Sequence, residues 1–171
     1  MNYIRAEWVI ITMADKPILE RNFNKDLDVN LKLNEGGILG TIYLEIQGND
    51  REAAKKALEN TVYNRLVSEP NAHVLEVRMY DVKKEDGGYF SGVAEVKLIA
   101  DDFRWFLSTI MRYGPSAVEI TEPSEARLGM EDMHSIVADV SDFTHMYSQQ
   151  IIAMFKDPER RALYERILKG E

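Results

Sequence analysis

The sequence predicts an α+β fold: a ferredoxin-like antiparallel sheet of βαββαβ order, with an extra N-terminal strand or hairpin and a C-terminal helical hairpin. Three observations predict it. Segments around Ile38–Gln47, His73–Val82, Tyr89–Ile99 and Ala117–Thr121 alternate apolar and polar residues with the period of strands. Helical patterns separate the first of these from the second and the third from the fourth. After Glu122-Pro123 the pattern turns wholly helical, which places a domain over residues 1–125 and a helical extension over 126–171, packed on that domain or on a second subunit.

Taken in order, Trp8–Met13 is a short run of apolar residues, the pattern of a strand buried on both faces. Ala14–Leu27 reads as polar and irregular. Val29, Leu31 and Leu33 alternate with Asp28, Asn30 and Lys32, which predicts a half-buried strand. Asn34-Glu35-Gly36-Gly37 then predicts a tight turn closing a hairpin onto Ile38–Gln47. Asn49 or Asp50 caps a helix with apolar positions Ala54, Leu58, Val62 and Leu66, and Pro70 stops it. The strand at His73–Val82 leads through a KKEDGG turn to the strand at Tyr89–Ile99. Asp101 or Asp102 caps a helix carrying Phe103, Phe106, Leu107, Ile110 and Met111 on one stripe. Gly114 supplies its left-handed cap and Pro115 prevents its continuation.

In the C-terminal region Met133, Val137, Val140, Thr144, Tyr147, Ile151 and Met154 are spaced alternately by four and three residues. This predicts one long amphipathic helix from near Met130 to Phe155. Asp157-Pro158 begins a shorter one that ends at Gly170. The long stripe needs an apolar partner, and self-association through this helix into a homodimer is the expected arrangement.

Composition narrows the function classes. The 21 Lys and Arg against 29 Asp and Glu leave a formal charge of -8, which repels phosphate backbones and anionic membranes. Direct nucleic-acid or membrane binding is therefore not expected. The absence of cysteine excludes disulfides, thiolate metal sites and Cys nucleophiles. With no leader pattern or membrane span in the sequence, the protein is expected to be cytoplasmic.

The stretch Gly87–Glu125, GGYFSGVAEVKLIADDFRWFLSTIMRYGPSAVEITEPSE, together with the preceding strand and helix from Thr41, resembles the C-terminal extension domain of WYL-type transcription regulators. The shared pattern is an alternating strand, an acidic helix start, an aliphatic-aromatic helix ending in Tyr-Gly-Pro, and a Val-rich strand running into Glu-Pro. Neither a winged helix-turn-helix nor the WYL barrel accompanies it. The resemblance implies a regulatory or ligand-sensing module, transcription-associated through a partner. DNA binding does not carry over.

No nucleophile elbow, P-loop or dinucleotide fingerprint occurs, and no cofactor is expected. Glu131-x-x-His134 and Asp142-x-x-His145 have the spacing of metal-binding helices. At about 100° per residue both acids point away from the apolar stripe, so solvated side chains are expected and no metal site within one chain; an intersubunit site is the alternative. His73, at a strand start, has no carboxylate partner identifiable from sequence. Sheet alternation instead gathers a platform. If Ile42, Leu44, Ile46, Leu75, Val77, Met79, Ala94, Val96, Leu98, Val118 and Ile120 face the helices, the other face carries Tyr43, Glu45, Glu76, Arg78, Tyr80, Glu95, Lys97 and Glu119. From it Tyr43, Glu45, Arg78, Tyr80, Lys97 and Glu119 are the expected ligand-binding residues of a small-molecule-sensing module. The alternatives are a set of cross-strand ion pairs, the acids and bases of a small enzyme, or a structural interaction module.

Overall fold

The computed structural model describes residues 16–155 and 158–170. The strand expected at Trp8–Met13 lies outside them. The protein divides into two compact units, Met1–Arg127 and Leu128–Glu171. The first is α+β. Its strands are β1 (Leu19–Asn22), β2 (Ile38–Gly48), β3 (Ala72–Met79), β4 (Lys83–Lys84), β5 (Phe90–Ala100) and β6 (Ala117–Glu122). Among the described residues they form one six-stranded sheet in the order β1-β3-β5-β2-β6, with β4 attached to β5, and every pairing between them is antiparallel.

Two helices cover one face of this sheet. The first, α2 (Arg51–Glu59), is capped by Asp50, whose carboxylate accepts from the Ala53 N–H at 2.7 Å; it runs on through a π-helical turn at Asn60–Arg65 and a 3-10 turn at Leu66–Ser68. The second, α3 (Phe103–Tyr113), is capped by Asp102, which accepts from the Trp105 N–H, and ends at Gly114 with φ +54°. Leu58, Val62, Leu66 and Phe106 pack on Ile42, Val74, Val77, Val96 and Leu98, all buried. Each such side chain contributes about 1.5–3 kcal/mol of transfer free energy.

The structure corrects several expectations. Val29–Asn34 is a short helix, α1, not a half-buried strand, and Gly36-Gly37 joins it to β2 without a hairpin. The local reason is Asp28, whose carboxylate accepts from the Leu31 N–H at 3.0 Å and so starts a helical turn. Leu19–Asn22, expected to be irregular, is strand β1 and pairs with β3. Lys83–Lys84 belongs to a strand, leaving a tighter turn at Glu85–Gly88. Leu75 does not face the helices. The register shifts between Val74 and Glu76, so the bulge puts Val74 and Val77 into the core and leaves Leu75 half-buried. Val118 and Ile120 do lie opposite Ile42 and Gly40 but remain exposed, because β6 is an edge strand.

The second unit consists of α4 (Met130–Met154) and α5 (Pro158–Lys169). Asp132 accepts from the Gly129 N–H at 3.0 Å at the start of α4, and the Phe155 ring lies 5.5 Å from that of Tyr164 at the junction. No residue of α4 is buried.

Candidate functional site

The polar face of the sheet is assembled by cross-strand register. Lys97 on β5 stands between Thr41 on β2 and Glu76 on β3, and the next outward position places Glu95 between Tyr43 and Arg78. Beyond β3, β1 sets Glu20 directly beside Arg78. The register thus brings residues of three strands, β1, β3 and β5, to one guanidinium.

Arg78 is the hub. Its guanidinium lies 2.6 Å from Glu76, 3.2 Å from Glu95 and 3.6 Å from Glu20. Burial pushes its pKa down, but the surrounding Glu76, Glu95 and Glu20 carboxylates outweigh this and raise it, so it is charged throughout the accessible range. The Tyr80 hydroxyl donates to the second oxygen of Glu95 at 2.8 Å. Burial and then that bond to Glu95 push the Tyr80 phenol up to about 12. Tyr43 is raised as well, by burial first and then by Glu95 and Glu119. Both phenols are therefore neutral hydrogen-bond donors at physiological pH.

Next to this hub is an open depression of about 210 Å³ lined by Thr41, Glu76, Arg78, Glu95, Lys97 and Thr121. Lys97 is exposed and makes no hydrogen bond or ion pair with any described residue. Its ammonium is free to meet an incoming group, while Arg78 is already occupied.

Of the six residues expected to form a site, Arg78 and Tyr80 meet at Glu95, Tyr43 flanks Glu95, and Lys97 lines the adjoining depression. Glu45 is held apart: it accepts from Ser91 at 2.8 Å and from Gln47 at 2.9 Å. Glu119, on the edge strand, is exposed and faces Thr41 across the ladder. Thr41, Thr121 and Glu20 were not among the expected residues. The alternation of β2 and β6 carries the signal for both threonines, whereas Glu20 follows only once Leu19–Asn22 is known to pair with β3.

A second polar cluster lies where β3 and β5 meet α1. Asp101 accepts from Lys32 Nζ at 2.6 Å and lies 3.0 Å from His73 Nε2. His73 thus has the carboxylate partner that sequence did not identify, since Asp102, not Asp101, caps α3. Burial pushes the Asp101 carboxyl up, but the hydrogen bonds from Lys32 and His73 prevail and hold it below its usual value.

Glu131, His134, Asp142 and His145 are all exposed on α4, and His145 Nε2 lies 2.7 Å from Gln149 Nε2. Among the described residues no three His, Cys, Asp or Glu side chains gather as metal ligands, and no helix is long and apolar enough to cross a membrane.

No curated protein and no solved structure matches the chain. A family model matches residues 40–165, from the third residue of β2 into α5, and the chain belongs to the MJ0538 family.

Proposed function

We propose that the chain is a non-enzymatic regulatory or small-molecule-sensing module, with a ferredoxin-like core, a C-terminal helical hairpin and a ligand site on the polar sheet face. Support for the ferredoxin-like reading comes from the two helical connections. One links β2 to β3 and the other β5 to β6, each passing over a single intervening antiparallel strand. The resemblance of Gly87–Glu125 to a regulatory extension domain points the same way, to a module associated with transcription through a partner.

The observation that carries the ligand site is the unpaired Lys97 beside a guanidinium already fixed by carboxylates. An anionic group of a small polar ligand pairs with Lys97, its donors meet Glu76 and Glu95, and the Thr41 and Thr121 hydroxyls accept or donate as needed. The Arg78 network holds those carboxylates in place before the ligand arrives, which lowers the ordering cost of binding. Neutral Tyr43 and Tyr80 favour recognition over proton abstraction, because neither is a base at neutral pH.

A thermal-shift screen of anionic and zwitterionic metabolites tests this. A ligand at roughly 100-fold excess over its Kd stabilises by about 2.7 kcal/mol, a readily measured shift. Lys97→Ala is expected to leave the unliganded protein's stability within about 0.5 kcal/mol and to abolish the shift. An equal shift in the variant, or none in the parent across the screen, rejects the site.

A further inference from the structure

We propose that α4 pairs with α4 of a second copy of this chain along its apolar stripe. The stripe runs through Met133, Val137, Val140, Thr144, Tyr147, Ile151 and Met154 at alternating steps of four and three; Ile151 is half-buried and the other six are exposed, Val137 to 67% and Met154 to 73%. At 1.5 Å per residue the 25-residue helix is about 37 Å long, enough for three heptads. A contiguous apolar strip of that length is far larger than the scattered exposed side chains of an ordinary soluble surface.

Charge selects the occupant. Between Met130 and Met154 the helix contains four acids, Glu131, Asp132, Asp139 and Asp142, and no Lys or Arg. With the stripe at the a and d positions, all four acids fall at b, c or f, on the far side of the helix. The e and g positions flanking the seam hold His134, Ile136, Ser141, Phe143, Ser148, Gln150 and Phe155, none of them acidic. Two copies therefore meet without opposing like charges, even though each helix is acidic. An anionic membrane surface selects basic flanks, and a basic partner helix selects acids beside the seam. This helix has neither. The seam is self-complementary, as a two-fold interface requires, and its pairing is independent of the site on the sheet face.

The absence of cysteine makes the test direct in the full-length chain. Thr144→Cys sits near the middle of the stripe, where two-fold pairing brings equivalent positions together in either a parallel or a centred antiparallel arrangement. Gln149→Cys lies at an f position on the back of the helix. Mild oxidation is expected to give a covalent dimer with Thr144→Cys at least tenfold faster than with Gln149→Cys, and light scattering is expected to show a dimer of the parent. Val140→Glu should yield a monomer that keeps its helical circular dichroism; where that variant fails to fold, the cysteine pair still decides. Equal cross-linking at both positions, or a parent that stays monomeric into the high micromolar range, overturns the proposal. A monomer whose Thr144→Cys thiol resists labelling overturns it too, and assigns the stripe to a contact within one chain.

Discussion

Arg78 holds together three carboxylates that the strand register crowds into one place, so its loss is felt mainly through what it leaves behind. Arg78→Met is expected to destabilise the protein by about 1–2 kcal/mol in urea unfolding, with Glu76, Glu95 and Glu20 then repelling one another. Adding Glu76→Gln to that variant should restore part of the loss, the sign of a coupled pair. Asp101 gives a pH signature. Its folded pKa is depressed, so its contribution is fully present above the ordinary value of 3.8 and fades as pH falls through the lower folded value. Asp101→Asn should cost about 1–2 kcal/mol at pH 7, with the gap from the parent closing below about pH 4 in acid unfolding. The opposite case is Tyr80. A phenol raised from 10.0 to about 12 stabilises fully below pH 10 and loses that contribution as pH rises towards 12. The parent's advantage over Tyr80→Phe should therefore narrow with rising pH over that same window, as read in alkaline unfolding.

At the scale of elements, short polar signals decide more than hydrophobic alternation does. Asp28, Asp50 and Asp102 each accept from the N–H three residues on, and each starts a helix. The caps of the two long patterns were legible in the sequence because an apolar stripe followed them. At Asp28 no apolar stripe follows, so Val29, Leu31 and Leu33 carry the period of a strand although Asp28 caps a helix. The bulge at Leu75 and the pairing of Leu19–Asn22 were illegible for another reason: both are set by what lies across the ladder, not along the chain. Among the glycines, Gly40 has the closest neighbours across elements. A Cβ there would stand 2.6 Å from the Glu119 carbonyl oxygen and 3.0 Å from the Phe106 ring. Gly40→Ala is expected to cost about 1–3 kcal/mol, read as a lowered urea midpoint, by pushing β6 and α3 off the sheet.

At the scale of the whole molecule, the two compact units meet in sequence at Arg127 and Leu128, within an exposed run from Thr121 to His134. Limited trypsin digestion is expected to cut after Arg127 early and to leave the sheet unit as a resistant fragment, identified by mass spectrometry. Rapid cleavage inside β3 after Arg78 or inside β5 after Lys97 instead would show that the sheet unit is not a cooperative whole. The -8 formal charge is a property of this scale as well: it sets the sign of the long-range field, while the ion pairs on the sheet face are local.

The amino-acid sequence by itself determined the α+β class, the period of each long strand and helix, the Gly114 stop and the separation of a polar from an apolar sheet face. These follow from local physics: side-chain periodicity, capping carboxylates and the positive φ that glycine tolerates. Tertiary structure alone decided which polar residues meet. Register made Arg78 a hub for Glu20, Glu76 and Glu95, drew Glu45 away to Ser91, left Lys97 free, and gave His73 its partner in Asp101. Those contacts join residues far apart along the chain, where no local pattern records the distance between them.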